Sequence, residues 1–310
     1  MRISPRIQAI LQALLVTFLW ASSWVLIKNN IEAIPPLTFA GLRYTIASLL
    51  FLPGLLQQKE ALEKLERKDF ISLAALGLVL YAMTQGGQFL TLKYLDAIPF
   101  SLILNFTSPL VAFYAAFMGQ EKPTLWQWRG IASFLVGVLL YFLPKLQGNS
   151  NPAGYALAVL TVFANAVSSL LGRKTNRGGR ISPFVVTSIS MGIGGVVLLV
   201  MGLILQGLPT LSLKAWLTIL WLASVNTAFA FWLWNKSLQA LTAVESSTIN
   251  STMMVQIAIL ARIFLGERLD FAETLGLGIA LIGILLVSLK PSKKHESRVN
   301  YNKNRHYCDK

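Results

Sequence analysis

An apolar hairpin written twice is the strongest constraint on this chain. Residues Tyr94–Leu140 align without a gap on Ala240–Leu286, 146 positions later, with 12 identities in 47 positions. The matches include Leu95/Leu241, Ala97/Ala243, Ser101/Ser247, Glu121/Glu267, Gly130/Gly276 and Gly137/Gly283. Apolar composition explains coincident leucines, but not a shared glutamate and two shared glycine pairs. Each copy is an apolar run, a short charged turn containing Glu, and a second apolar run. A membrane hairpin present twice implies a duplicated membrane protein, and internal duplication is common among secondary transporters.

Composition identifies the solvent. The chain is 55% apolar and 13% charged, with a mean hydropathy of +0.60, whereas a soluble domain carries about 25% charge. One soluble core could not hide this much apolar surface, so lipid must cover most of it. The net charge of +14 does not indicate a nucleic-acid partner, because the basic residues sit at the ends of apolar runs and in the tail. Cys308, His295 and His306 all lie in the last sixteen residues. No disulfide framework, Cys/His metal cluster or cofactor is therefore expected in the membrane region. The first apolar run starts after Arg2 and Arg6 and continues to Ile27, too long for a cleaved leader, so it is expected to be a first membrane helix.

Spans of roughly 20 apolar residues can be placed at Ile7–Ile27, Pro36–Leu56, Phe70–Leu90, Ile98–Met118, Trp126–Leu143, Ala153–Gly172, Pro183–Leu205, Ala215–Trp234, Ala243–Leu265 and Phe271–Leu289. With the N-terminus inside, the tails and inner loops hold 20 of the 27 basic residues, as positive-inside topology requires. Ten spans with both termini cytoplasmic follow. Five spans per half make the second half enter the membrane upside down, which is an inverted repeat. The expected divisions are a first five-helix repeat over residues 1–147, a second over 148–289, and a basic cytoplasmic tail over 290–310. The expected fold is thus an all-α integral membrane protein of ten transmembrane helices in two inverted five-helix repeats.

Both hairpins, with Arg43-Tyr44 in span two and Trp20-Ala-Ser-Ser-Trp24 in span one, resemble the drug/metabolite transporter superfamily. The resemblance is to its ten-helix EamA-like members and covers residues 7–289. Its signature is the turn Gly266-Glu267-Arg268, matched by Gln120-Glu121-Lys122 in the first copy. Two departures are that Gln120 replaces the usual Gly, and that Met253-Met254-Val255 stands where many members carry an acidic–proline pair. The resemblance implies a multi-pass carrier of the inner or plasma membrane, monomeric or homodimeric. It would move amino acids or related small metabolites by alternating access, commonly as export. A multidrug exporter, a nucleotide-sugar or sugar-phosphate carrier and a non-transporting membrane scaffold are the alternatives.

Polar side chains are costly in lipid, so polar stripes point toward protein or a wet cavity. Candidate substrate-binding residues are Tyr81, Gln85 and Gln88 in span three, Asn105 in span four, Asn165 in span six, Asn226 in span eight, and Thr252 and Gln256 in span nine. Trp20, Trp24 and Trp232 would supply apolar walls. Arg43, about 10 Å below the outer end of its span at 1.5 Å per residue, could receive an anionic group or act as a structural strut, and the strut is favoured. Of the 13 carboxylates none lies mid-membrane; Glu245, near the start of span nine, is the one coupling candidate. Without a buried acid, uniport or exchange is expected over carboxylate-coupled antiport. Glu121 and Glu267 are expected to pair with nearby bases and cap the helices that follow them. The paired glycines suit close helix approach. No HExxH, GxSxG or P-loop is present, so no enzyme is expected.

Overall fold

The structure, a computed structural model, describes residues 5–117, 124–142, 151–177, 181–238, 241, 249–250 and 252–289. Among the described residues all regular structure is helical: α1 (Pro5–Asn30), α2 (Pro36–Leu56), the short α3 (Lys59–Glu63), α4 (Arg67–Tyr94), α5 (Ala97–Leu104), α6 (Thr107–Phe117), α7 (Leu125–Phe142), α8 (Pro152–Arg177), α9 (Pro183–Gln206), α10 (Leu213–Ala223, running on through Ser224–Phe229 to Ala230–Leu238), α11 (Met253–Phe264) and α12 (Phe271–Leu289). Seven helices are long and apolar enough to cross a bilayer, and the apolar helices Ala97–Val111, Met253–Phe264 and Phe271–Leu286 are shorter. Apolar side chains such as Leu49, Ile204, Leu205 and Phe271 project outward, as a lipid solvent requires.

Local chemistry sets the helix ends. Pro36 opens α2 after Pro35, where a missing N–H costs nothing. Ser182 and Ser212 cap α9 and α10 by accepting from Val185 N at 3.3 Å and Ala215 N at 3.2 Å. Asp270 and Glu273 bond each other's backbone amides at the head of α12, the reciprocal arrangement of a capping box. Gly207 and Gly266, at φ 72° and 68°, follow the ends of α9 and α11, where left-handed backbone favours glycine.

The two most extensive helix contacts are α7 with α12 and α2 with α9. Glycine allows both. A Cβ on Gly137 would lie 2.5 Å from Gly276 O, and one on Gly283 would lie 2.6 Å from Gly130 O. Those two contacts interchange when 146 is added or subtracted, as residues across a two-fold axis must. Ser133 Oγ donates to Ile279 O at 3.2 Å, a residue bonded to its own repeat partner. Along α2, Thr38, Gly41 and Thr45 meet Gly202, Leu199 and Gly195 in that order. Rising numbers on one helix meet falling numbers on the other in both pairs, so each pair is antiparallel.

Two irregularities also recur at the repeat spacing. The π-helical turns Leu78–Gln85 in α4 and Ser224–Phe229 in α10 start 146 residues apart. Each is braced by a threonine donating to the carbonyl five residues back: Thr84 to Val79 O and Thr227 to Leu222 O, both at 2.8 Å. Non-helical turns fall at Asn105–Phe106 between α5 and α6 and at Thr252 before α11, and Phe106 and Thr252 are repeat partners.

Candidate functional site

Between the halves lies a cavity of about 630 Å³, walled by α1, α2, α4, α8, α10 and by Leu104, Asn250 and Met253 beside the two turns. Its lining has an internal two-fold relation. Gln85 and Phe231 both line it, as do Gln88 and Trp234, and Leu104 and Asn250; each pair is separated by 146 positions. The chemistry on the two sides nevertheless differs. The first half contributes amides from α4, and the second contributes rings from α10. Trp20 of α1 joins those rings, with centroids 5.4 Å from Phe231 and 5.3 Å from Trp234.

Arg43 is the one charged side chain in the described lining. It is 4% exposed. Its Nε donates to Thr227 Oγ1 at 2.7 Å, and Nη2 lies 3.3 Å from Ser23 Oγ and 3.4 Å from Asn226 O. The guanidinium carbon is 5.3 Å from the Tyr44 ring centroid, within cation–π range. All these partners are neutral, and Nη1 donates to none of the described residues. Tyr44 in turn donates to Gln85 Oε1 at 2.8 Å, which leaves the Gln85 Nε2 amide hydrogens for the cavity. The π turn of α10 thus holds Arg43, and Arg43's neighbour holds Gln85.

The sequence-predicted residues divide. Trp20, Trp24, Arg43, Gln85, Gln88 and Asn165 line the cavity together. Tyr81 is buried against Tyr44, ring centroids 5.4 Å apart, and against Gly194 of α9. Asn105 bonds its own helix through Ser101 O at 2.7 Å. Asn226, fully buried, donates to Leu19 O and to Ser22 Oγ on α1. Gln256 donates to Thr17 Oγ1 at 3.2 Å and Thr252 to Ile249 O at 2.6 Å. Trp232 is 45% exposed, with Lys236 Nζ 5.2 Å from its ring. These six are not in the described cavity lining: Tyr81, Asn226 and Gln256 contact other helices, Asn105 and Thr252 bond within their own segments, and Trp232 faces outward. Glu245 lies outside the described residues. Sequence reasoning missed Ser23, Tyr44, Ser169, Phe231, Trp234 and Asn250 as lining residues. The repeat offset from Gln85 and Gln88 would have found Phe231 and Trp234.

At one end of the bundle, Glu267 accepts from the backbone amides of Ala97 at 2.8 Å and Ile98 at 3.0 Å. It therefore caps α5 in the other half, not the helix that follows it in sequence. Glu121, its repeat partner, lies outside the described residues. Lys28 is beside this cap, 3.3 Å from Asp96, and donates to the last carbonyls of α4 at Leu92 and Leu95. Burial, the leading cause, raises the Glu267 carboxyl above its ordinary 4.5, against the pull of its two amide donors.

Comparison with known families gives one match, made twice: the EamA-like transporter family, over residues 7–143 and again over 152–289. The chain belongs to the EamA-like transporter family. EamA-like relatives include an uncharacterized inner membrane transporter, YedA, of Escherichia coli K12, 27% identical with 87% of each chain covered. The uncharacterized transporter YvbV of Bacillus subtilis is 26% identical over 94% of this chain and 95% of its own. A Chlamydia trachomatis relative named an S-adenosylmethionine/S-adenosylhomocysteine transporter is 25% identical, covering 90% and 88%. A solved structure superposes with a TM-score of 0.65 at 16% identity, covering 91% of this chain and 98% of that one, and so shares the fold. This EamA-like chain is therefore a multi-pass membrane protein of a transporter family, as its own two-fold helix packing also indicates.

Proposed function

We propose that this protein is a secondary transporter in which two inverted five-helix halves alternate about the central cavity, carrying a small organic metabolite across the membrane. The observation that carries the reading is the cavity itself, built by both halves from repeat-equivalent positions. A cavity of about 300–1,000 Å³ is the size that encloses a metabolite or drug-sized molecule. The reading takes ten spans, with the three shorter apolar helices completing the set around broken backbone, and both termini cytoplasmic. Interrupted helices at corresponding positions of two halves are where such carriers bind their cargo. Small metabolites moved outward, amino acids or related compounds such as organic acids, are the substrate class and direction of this reading. The one charge in the described lining, Arg43, is positive, which disfavours a cargo of net positive charge. Among the described residues no carboxylate lines the cavity, which supports uniport or exchange over proton-coupled antiport.

The test uses the near absence of cysteine. With Cys308 replaced, single cysteines at Ser23 and Ser169 are labelled by membrane-impermeant reagents from each side of oriented vesicles. An alternating carrier reacts at both positions from both sides, in proportions that shift with substrate. Labelling confined to one side under every condition would refute alternation. Uptake into proteoliposomes that vanishes without a pH gradient would refute uniport and exchange.

A further inference from the structure

We infer that the cargo is an organic anion with a flat apolar body, its acidic group seated on Arg43 and Gln85 and its ring against Trp20, Phe231 and Trp234; this rests on the transport reading above. A guanidinium more than nine-tenths buried needs an anionic partner or a full set of acceptors. Arg43 has neither. Its neutral partners take Nε and Nη2, while Nη1 borders the cavity without an acceptor. Gln85 lines the same cavity, and with Tyr44 on its amide oxygen its Nε2 hydrogens are left to donate. Arg43, held by Thr227, and Gln85, held by Tyr44, both line the cavity and keep N–H groups that these bonds do not use, donors of the kind that receive a carboxylate.

The opposite wall takes the rest of the molecule. Trp20 contacts both Phe231 and Trp234, with centroids 5.4 and 5.3 Å away and rings tilted by 54° and 50°, an aromatic cluster against which a planar ring can pack face or edge. The lining offers an ammonium group only amide, hydroxyl and carbonyl oxygens, while its one formal charge is positive. A ligand of net charge −1 matches that charge; a zwitterion leaves its cationic end without an ionic partner, and a cation is repelled.

The probes are three molecules with one ring system: indole-3-propionate, the zwitterion tryptophan and the cation tryptamine. Binding to the full-length protein in nanodiscs is followed by fluorescence quenching and by thermal shift. Indole-3-propionate is expected to bind about tenfold or more tighter than either other probe, since a charge-assisted bond is at stake. Arg43→Gln should remove that preference, and Arg43→Lys should restore part of it. If Arg43→Gln does not fold, the parent protein's ranking of the three probes decides alone. Equal binding of all three, or preference for tryptophan or tryptamine, overturns the anion assignment while leaving a carrier. Failure of all three to bind also overturns it, and the two-sided cysteine labelling then decides separately whether the protein alternates.

Discussion

Thr227 shows how much one hydroxyl carries here. It donates to Leu222 O within the π turn and accepts from Arg43 Nε. Thr227→Val keeps the shape and removes both bonds, leaving a buried charged donor short of its best acceptor. The expected cost is about 1–3 kcal/mol, read as a lower melting temperature in detergent, with weaker binding of any anionic probe. Glu267 has a different signature. Because burial raises its carboxyl above 4.5, the folded state holds that proton more tightly than the unfolded chain. Its stabilising contribution is then full below pH 4.5 and is lost as pH rises through the folded-state value. The melting-temperature difference between the parent and Glu267→Gln should drift in that sense on raising pH, and a flat difference would contradict the shift. Single residues were only partly legible in the sequence. Arg43 was found because a charge in an apolar run is conspicuous, but its partners come from elements some 20 and 184 positions away. Only the fold brings them together.

At the scale of helices, the residues out of register along α4 and α10 share a cause. Helical spacing of 3.6 residues projects Asn226 onto Phe229 and Trp232, yet Phe231 and Trp234 face the cavity. The π turn at Ser224–Phe229 inserts one residue per turn, which advances the stripe to the observed positions. The same offset in α4 makes the cavity stripe Leu80, Gln85 and Gln88 and turns Tyr81 toward α9. No residue type announces a π turn, so the α4 stripe differed only at Tyr81 and the α10 aromatic wall was out of phase. The glycine pairs, by contrast, were legible, because two copies kept them. Their energetics can be checked within one helix pair. Gly137→Ala drives a methyl into the Gly276 carbonyl at 2.5 Å and should cost about 1–3 kcal/mol through overpacking. Gly278→Ala meets nothing within 4 Å and should be neutral or stabilising by up to about 1 kcal/mol. Thermal melting of both variants tests the crossing, and equal behaviour would mean that α7 and α12 are not in this contact.

For the whole molecule, the distribution of Lys and Arg along the chain predicts a topology without any structure, since Arg43 apart they sit at the ends of apolar runs and in the tails. The antiparallel pairs α2/α9 and α7/α12 agree with a second half inverted relative to the first. A reporter that fluoresces only in the cytoplasm should light up at either terminus, and an alkaline phosphatase fusion at either should stay inactive. Opposite outcomes at the two ends would break the inverted duplication. The bond between Ser133 and Ile279 has a wider consequence. In a carrier that rocks about the axis marked by that bond, the two open shapes are made by the same motions with the halves exchanged. The lining is not symmetric in chemistry, so the two open shapes need not present the same surface to a molecule on each side of the membrane. Half-saturation concentrations should then differ for influx and efflux measured in separate directions, although the final distribution of an uncoupled cargo stays fixed by its own electrochemical gradient. The gene kept the scaffold symmetric and let the surfaces diverge, and kinetic rectification is what that divergence can supply.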